Sequence, residues 1–396
     1  MSAAVVPAIP EEVLEIARTL EEAGYEAWCV GGALRDTLLG HPHSDYDFAT
    51  SATPAQVTAL FRRTAPVGEK YGTVGVLDRR RVLHEVTTFR RDVATDGRHA
   101  VVAYGVSLDE DLARRDFTIN AIAYHPLRGE WRDPFDGRAD LERGVIRAVG
   151  VPAERFREDY LRILRGIRFA ARFRFTIEPA TWAAAVEAAP GLAQLSAERV
   201  RDEWIKGIRT ARSVAELVAL WNHSGAAARW IPELGAVSAE RLARAGAAAA
   251  DGRDPVLLTA LLVGDATPVF RRLRASNAEL GRAAALARGP AEPAGPDPRA
   301  IRHWLAAVGG AADDLLALHA LREGAEAPWA GVVREVRERS DPLTRGDLAV
   351  TGSDLQALGA TGRRIGELLA MLLDRVLDDP SLNRRDTLLA LAQEMM

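Results

Sequence analysis

The first part of the chain alternates short apolar runs with segments of helical periodicity. Apolar residues recur at helical spacing from Val13 to Leu20, which predicts a helix over residues 11–23. The pattern then predicts five strands, Ala27–Val30, Tyr46–Ala49, Thr73–Leu77, Val82–Phe89 and Val101–Tyr104, and two helices, 33–39 and 54–62. We therefore expect residues 1–150 to form a small head of mixed strands and helices.

The strand signals largely vanish after Pro152. From there to Met396 the chain is a series of amphipathic helices rich in alanine, leucine and arginine. An all-helical part is therefore expected to follow the mixed head.

Composition narrows the function classes. A hydrophobic share of 48% and a charged share of 27% are those of an ordinary globular protein. The net charge of −4 means that any nucleic-acid binding must depend on a local basic patch. Cys29 is the only cysteine, which excludes an internal disulfide and a cysteine-based zinc site. We see no signal peptide, and the strongest apolar run, Val256–Val263, is too short to cross a bilayer, so we expect a cytoplasmic protein without membrane attachment.

The most informative motif begins at the end of the first predicted strand. Val30, Gly31 and Gly32 end this strand with two residues that lack side chains, which lets a triphosphate lie against the backbone. Asp45 and Asp47 follow in a short extended segment, where alternation projects both carboxylates from one face. Two hard oxygen ligands on one face suit Mg²⁺ shared with substrate phosphates. By itself an Asp-x-Asp is more typical of a solvated turn. No Walker-A pattern occurs, which argues against a P-loop enzyme.

Two later segments are rich in arginine. Arg114 and Arg115 precede a further predicted strand, Ile122–Tyr124, and suit charge-assisted hydrogen bonds to a triphosphate or a ribose. Such a cluster on its own is most often solvated surface.

A helix predicted over residues 158–169 has one apolar arc and one charged half. The charged half carries one carboxylate ahead of three guanidiniums at steps of three, namely Asp159, Arg162, Arg165 and Arg168. Gly166 lies between the first two of these on the helical wheel, where the missing side chain would let a flat ring approach the helix. The alternative interpretation is a solvated helix face with internal salt bridges.

Together these segments resemble the class II tRNA nucleotidyltransferase and bacterial poly(A) polymerase family, part of the polymerase-β-like nucleotidyltransferases. The matching stretches follow one order along the chain and are Val30–Asp36, Asp45–Thr50, Glu85–Arg90, Arg114–Ala121 and Glu158–Phe169. The resemblance covers about residues 25–175.

The resemblance implies an α+β protein in four parts. These are an N-terminal polymerase-β-like nucleotidyltransferase head with a small mixed sheet (1–150), a helical neck for base recognition and RNA binding (151–215), and a helical body and tail for tRNA binding (216–396). It also implies an enzyme that adds C, C and A to the tRNA 3′ end from CTP and ATP, without a nucleic-acid template. The expected partners are tRNA, through its acceptor stem and 3′ end, and the two nucleotides, with no obligate protein partner.

The same resemblance implies residue roles. Asp45 and Asp47 would be catalytic and hold magnesium, with two ions expected, and Glu85 would be a third catalytic carboxylate. Seven residues would bind the nucleotide: Gly32, Arg35 and Arg115 at the triphosphate and sugar, Asp159 and Arg162 at the base, and Arg165 and Arg168 beside them.

An Asp–Arg pair suits the selection of C and A. Cytosine and adenine both present an amino donor beside a ring-nitrogen acceptor, whereas uracil and guanine present a carbonyl acceptor beside an N–H. A carboxylate only accepts and a guanidinium only donates, so Asp159 with Arg162 matches the first two bases. For the other two, like groups face each other, at a cost of about 1–3 kcal/mol per buried group.

The resemblance leaves several activities open. Residues 90–106 occupy the place of a flexible loop that this family links to the change from CTP to ATP, and their full length favours complete CCA addition. Addition of CC only or of A only, and poly(A) synthesis, are the enzymatic alternatives. The alternative outside the enzymes is an RNA-binding protein with an inactive head. A small-molecule transferase would need neither the charged helix nor a long helical part.

Overall fold

The computed structural model describes residues 7–41, 46–67, 72–95, 100–248 and 252–396. The chain divides into two compact units, Met1–Gly235 and Ala236–Met396. The first combines strands and helices, and the second is helical in its described residues, which confirms the expected α+β class. The head boundary at residue 150 and the neck boundary at residue 215 stay predictions.

The first unit contains eleven strands and eleven helices among its described residues. The strands are β1 (Ala27–Val30), β2 (Asp47–Thr50), β3 (Thr64–Ala65), β4 (Thr73–Leu77), β5 (Leu83–Thr88), β6 (Arg90–Thr95), β7 (Ala100–Tyr104), β8 (Ala123–His125), β9 (Glu130–Arg132), β10 (Val145–Ile146) and β11 (Thr176–Ile177). The helices are α1 (Glu11–Glu22), α2 (Gly32–Leu38), α3 (Pro54–Leu60), α4 (Leu108–Ala113), α5 (Gly137–Arg143), α6 (Pro152–Glu158), α7 (Leu161–Phe173), α8 (Pro179–Glu187), α9 (Ala197–Thr210), α10 (Val214–His223) and α11 (Ala226–Trp230).

Seven strands form one mixed sheet in the order β3-β4-β5-β2-β1-β8-β9. Its neighbouring strands are antiparallel except for β2 and β5, which are parallel. Strands β6 and β7 form a separate antiparallel hairpin, and β10 and β11 form a short parallel pair. The hairpin coincides with most of segment 90–106, and residues 96–99 lie outside the described part.

Strand β1, inside this sheet, is buried on both faces. Cys29 pairs with Phe48 across β1 and β2 and packs in one core, whereas Trp28 pairs with Ala49 and packs in another. A strand buried on both faces reads as a continuous apolar run, which is how β1 was predicted. Burial also raises the pKa of the Cys29 thiol, as expected for an inert core cysteine.

The register between β2 and β5 brings two acids together. Phe48 is opposite Val86, so Asp47 and Glu85 stand at adjacent preceding positions and project from the same face. Val30 is opposite Asp47 across β1 and β2, which places the end of β1 beside the same carboxylate.

The predicted elements of the head are largely confirmed. Helix α1 and strands β1 and β4 agree with the prediction to within one residue, and β2 begins one residue later than predicted. The structure adds β3, β6, β9 and β10 to the head, and it adds β11 in the part after Pro152 that was predicted to be all helical. Strands of two or three residues contain too few positions to show alternation, and β6 begins with charged residues that resemble a loop.

One prediction about the charged helix is wrong. Helix α6 ends at Glu158, and Asp159 has extended backbone angles (φ −155°, ψ 104°) before α7 begins at Leu161. The Asp159 Oδ1 accepts a hydrogen bond from the Leu161 N–H at 3.0 Å. Aspartate competes for backbone hydrogen bonds in this way and so favours a helix boundary over a helix interior. The three arginines stay on one helix, while the carboxylate stands in the break before it.

The second unit contains ten helices among its described residues. They are α12 (Ala239–Ala247), α13 (Pro255–Val263), α14 (Thr267–Arg272), α15 (Asn277–Arg288), α16 (Pro298–Val308), α17 (Ala312–Glu323), α18 (Ala330–Glu338), α19 (Gly352–Ala357), α20 (Arg363–Asp378) and α21 (Arg385–Met395). One helical run among the described residues, Pro298–Glu323, is long and apolar enough to cross a membrane, by length and composition only. It is interrupted at Gly309–Ala311, and its Trp304 and Leu305 are buried in the core of the unit, as in a core helix.

Candidate active site

One cavity of about 560 Å³ in the first unit collects the predicted site residues. Asp45 lies outside the described residues. All the other predicted residues line this cavity: Gly32, Arg35, Asp47, Glu85, Arg115, Asp159, Arg162, Arg165 and Arg168. Asp47 and Glu85 of the sheet form an acidic wall of the cavity, and α7 and α9 contribute an arginine-rich wall.

The acidic wall is built on Asp47 and Glu85. Gly31 lies beside them in the left-handed region (φ +80°), where a side chain would be strained. A Cβ at this position would lie 3.6 Å from Asp47 Oδ2 and 3.6 Å from Arg115 Nη1. The absence of a side chain therefore leaves room between a carboxylate and a guanidinium.

The acidic wall has the ligand chemistry of a hard divalent cation. Asp47 and Glu85 present carboxylate oxygens toward a polar cavity, which is the donor type that Mg²⁺ prefers. Within the described residues, no group of three or more histidine, cysteine or acidic side chains forms a metal cluster. Asp45 lies outside those residues and is not counted there. The two described carboxylates, Asp47 and Glu85, are compatible with a metal ion that also binds a substrate.

Arg115 is held by a buried acid that sequence reasoning missed. Asp111 accepts hydrogen bonds from Arg114 Nε at 3.0 Å and from Arg115 Nη2 at 3.3 Å, and it is 1% exposed. Arg115 Nη1 also donates to the Asn120 carbonyl at 3.2 Å. Its Nε is buried without a hydrogen-bond partner among the described residues, which leaves donor capacity for a ligand.

Arg35 is buried at the edge of the cavity, where it already has hydrogen-bond partners within the protein. Its Nε donates to Asp36 Oδ1 at 2.7 Å, and its Nη1 donates to Asn120 Oδ1 at 2.6 Å. The guanidinium also lies 4.8 Å from the ring of Phe169 and 4.9 Å from that of Phe173. Burial lowers its pKa, although Asp36 opposes this shift. The residue lines the cavity, and its contact with phosphate stays a prediction.

Arg165 and Arg168 both have carboxylate partners. Arg165 Nε donates to Asp116 Oδ2 at 2.7 Å, and Arg168 Nε donates to Glu203 Oε2 at 2.6 Å. Burial would raise the pKa of Asp116, but the charge of Arg165 and the hydrogen bonds that it receives lower it to about 2. These pairs fix two guanidiniums along α7 and lessen the positive charge of the cavity wall.

The two predicted base-reading residues lie together, each with a defined set of partners. Arg162 Nη1 donates to Glu158 Oε2 at 2.8 Å, and its Nη2 donates to the Arg114 carbonyl at 2.9 Å. Asp159 Oδ2 accepts from Arg199 Nη2 at 2.7 Å. Sequence reasoning missed Arg199, which stands 40 residues along the chain on α9 and belongs to no local motif.

Gly166 does admit a flat ring, but the ring belongs to the protein. A Cβ at this position would lie 2.9 Å from Phe117 Cζ. Gly166 therefore allows Phe117 to pack against α7, and this correction removes it from the base-binding surface.

The comparisons with known proteins agree with this geometry. A profile described as the Poly A polymerase head domain matches residues 27–147, and one described as a probable RNA and SrmB-binding site of polymerase A matches residues 174–238. The CCA-adding enzyme of Lactiplantibacillus plantarum is 48% identical over 217 residues, a match that spans only 53% of that relative and 54% of this chain. The CCA-adding enzyme of Geobacillus stearothermophilus is 37% identical over 375 residues, which cover 92% of this chain and 91% of that one. This chain belongs to the CCA-adding enzyme family.

A solved member of the CCA-adding enzyme family has the same fold. The crystal structure of the Bacillus stearothermophilus CCA-adding enzyme in complex with CTP matches with a TM-score of 0.81 and 34% identity over 97% of both chains. The likeness extends over both units. The charged cavity of this chain thus lies in a fold for which a CTP complex is known.

Proposed function

We propose that this protein is a CCA-adding tRNA nucleotidyltransferase that adds C, C and A to the tRNA 3′ end from CTP and ATP. The observation that carries the proposal is that one cavity is lined both by the acidic pair Asp47 and Glu85 and by Asp159 and Arg162. The near full-length similarity to family members supports it. Its substrates are tRNA, through the acceptor stem and 3′ end, with CTP and ATP. Its place is the cytoplasm.

In the proposed reaction the RNA 3′-hydroxyl attacks the α-phosphate of the bound nucleotide in line, and pyrophosphate leaves. Asp45 and Asp47 would hold magnesium, with two ions expected, and the metal would supply activation of the hydroxyl and neutralisation of charge on the leaving group. Glu85 stands beside Asp47 as the third carboxylate of this wall. Divalent-metal use is general to nucleotidyltransferases, whereas the metal's identity and the number of ions belong to the proposal.

The nucleotide is proposed to lie across the cavity from the acidic wall to α7. Arg115 donates to the triphosphate or sugar through its remaining donors, and Gly31 and Gly32 let the phosphates approach the backbone. Asp159 accepts the amino group of C or A, while Arg162 donates to the neighbouring ring nitrogen. Selection of the base therefore needs no template.

Replacement of Asp47 tests the acidic wall. Asp47→Asn removes the charge at nearly constant volume, and we expect transfer to fall by at least about a thousandfold, because a metal-stabilised step loses its ligand. Affinity for tRNA should remain within about twofold. A second readout is calorimetric titration with Mn²⁺ in the presence of CTP, in which the heat of metal binding should be lost. Wild-type turnover or wild-type Mn²⁺ binding would refute the metal assignment.

Replacement of Arg162 tests base selection. Arg162→Ala should relax the rejection of UTP, because the donor that opposes the uracil N–H is removed. Arg157→Ala is the matched control, since Arg157 is exposed on α6 and does not line the cavity. Unchanged rejection of UTP by Arg162→Ala would count against the assignment.

One experiment separates the candidate activities. Purified protein is offered three tRNA transcripts, ending before CCA, after C and after CC, with CTP and ATP separately and together. Addition of all three nucleotides supports the proposal. Addition of C alone or of a single A identifies a partial enzyme, a long A tract identifies a poly(A) polymerase, and binding without transfer identifies an inactive head.

A further inference from the structure

Helix α9 presents two opposite charges to the cavity side of α7. Arg199 and Glu203 are one helical turn apart, so they lie on the same face of α9. Arg199 contacts Asp159 at 2.7 Å, and Glu203 contacts Arg168 at 2.6 Å. In each contact one partner, Asp159 or Arg168, is a residue to which the family resemblance assigns nucleotide binding. The other partner, Arg199 or Glu203, lies outside all the matching stretches.

The carboxylate of Asp159 is oriented by two hydrogen bonds. Asp159 stands in the break between α6 and α7, where its backbone carbonyl accepts from the Arg162 N–H at 3.1 Å and the direction of its side chain is left to the contacts of the carboxylate. Two donors hold its carboxylate: the Leu161 N–H on Oδ1 and the Arg199 guanidinium on Oδ2. Each carboxylate oxygen can accept a second hydrogen bond, so these contacts orient Asp159 and still leave it able to accept from a ligand.

Arg199 is itself suited to this positioning role. It lines the cavity beside Asp159, and 32% of its side chain is exposed. Its stem is carried by a helix of 14 residues whose face toward α7 is buried at Val200, Glu203 and Trp204. A rigid element therefore carries the donor that sets the carboxylate of Asp159.

We propose that Arg199 is a positioning residue for base selection: it holds the Asp159 carboxylate where the amino group of C or A is accepted. This inference rests on the proposed function. Without Arg199, the carboxylate keeps only the Leu161 contact among those described, and rotation about its terminal bond moves its acceptors out of line with Arg162. Loss of alignment weakens the binding of C and A and makes U a better competitor.

The test uses three full-length variants with wild type. Arg199→Met keeps the apolar stem and removes the donors, whereas Arg199→Lys keeps a charge with a single donor point. Arg201→Met is the matched control, because Arg201 lies on the same helix, pairs with its neighbour Asp202, and does not line the cavity. Steady-state constants are measured with CTP, ATP and UTP on the matching tRNA transcripts, and thermal unfolding verifies the fold.

For Arg199→Met we expect the preference for CTP over UTP, as a ratio of kcat/KM, to fall about tenfold or more. The loss should come from higher KM values for CTP and ATP with kcat nearly unchanged, because the base lies away from the reacting phosphate. Arg199→Lys should fall between Arg199→Met and wild type, and Arg201→Met should match wild type.

Two results would overturn the inference: a wild-type CTP preference in Arg199→Met, or a fall in kcat with KM and base preference unchanged. If Arg199→Met does not fold, the result for Arg199→Lys decides. An unaltered preference for CTP over UTP in Arg199→Lys, with KM raised for every nucleotide, would exclude a positioning role of Arg199 in base selection. The proposed function is judged separately by wild type, which must add C and A and reject U.

Discussion

At the scale of single residues, Asp116 joins three parts of the cavity wall. Its Oδ1 accepts from the Asn120 side chain at 2.9 Å, and its Oδ2 accepts from Arg165 at 2.7 Å. Asn120 in turn accepts from Arg35 at 2.6 Å. A buried carboxylate is retained in such a place only if its charge is matched, and here Arg165 matches it.

The lowered pKa of Asp116 predicts a pH-dependent contribution to stability. The pKa is about 2 in the folded chain against an ordinary 3.8, so the stabilisation is complete above about pH 4 and is lost as the pH falls toward 2. Its size is on the order of 2 kcal/mol. Urea unfolding of wild type and Asp116→Asn should differ most at neutral pH and converge near pH 2. Asp202→Asn is the control, because Asp202 is exposed and pairs with Arg201 outside the cavity, and a pH-independent gap for Asp116→Asn would contradict the assignment.

Gly166 predicts a second single-residue effect. Gly166→Ala brings a Cβ to 2.9 Å from Phe117 Cζ, so one of the two must move. We expect a loss of about 1–3 kcal/mol by overpacking, which outweighs the gain of about 1 kcal/mol from helix propensity. Gly281→Ala in α15 is the matched control, because nothing lies within 4 Å of its Cβ, and it should gain stability. Chemical denaturation measures the free energy of unfolding of both variants. A Gly166→Ala variant that is more stable than wild type would show that Phe117 can move aside without a cost in packing.

At the scale of elements, the break between α6 and α7 carries Asp159, the carboxylate that we propose reads the base. Tyr160 occupies this break together with Asp159 and packs against Gly191, which lies in the short 3₁₀ helix Ala189–Gln194. A Cβ at Gly191 would overlap the tyrosine ring. The break therefore combines the local hydrogen bond of Asp159 with a packing contact from outside both helices.

Gly191→Ala should disturb nucleotide binding without touching the cavity wall. Displacement of Tyr160 moves the adjoining Asp159, so we expect KM for CTP and ATP to rise about 3- to 10-fold. We also expect a lower melting temperature. Gly235→Ala is the control, since Gly235 also lies in a 3₁₀ helix and its Cβ would meet nothing within 4 Å. Steady-state kinetics decide the matter, and an unchanged KM would mean that Tyr160 moves independently of Asp159.

At the scale of the whole molecule, all the residues that line the cavity belong to the first compact unit. They extend along the chain from Val30 to Arg199, and the unit ends at Gly235. Each unit also has its own buried apolar clusters. The nucleotide site and the second unit are therefore separable in principle.

A fragment of residues 1–235 should fold and bind nucleotide. We expect a cooperative thermal transition and an affinity for CTP within about threefold of the full chain, because no cavity residue is removed. Calorimetry measures both, with Arg162→Ala in the fragment as the binding control. A fragment that unfolds cooperatively but does not bind CTP would show that the second unit is required for the site.

The sequence by itself determined the local elements and the chemistry of the site. Helix α1, strand β1 and the pattern of the α7 arginines follow from periodicity, because burial of one face and hydrogen bonding to near neighbours are local properties. The same local signals placed Asp47, Arg115 and Arg162 among the candidates, and the cavity contains them all.

Only the tertiary structure decided how those residues are held. Arg199 and Glu203 reach their partners across 40 and 35 residues, and Asp47 stands beside Glu85 only through the parallel pairing of β2 and β5. The packing of Tyr160 against Gly191 likewise joins the break at Asp159 to a segment about 30 residues further along the chain. Such contacts have no periodic signature, because their formation depends on how distant elements pack and not on the spacing of residues along one element.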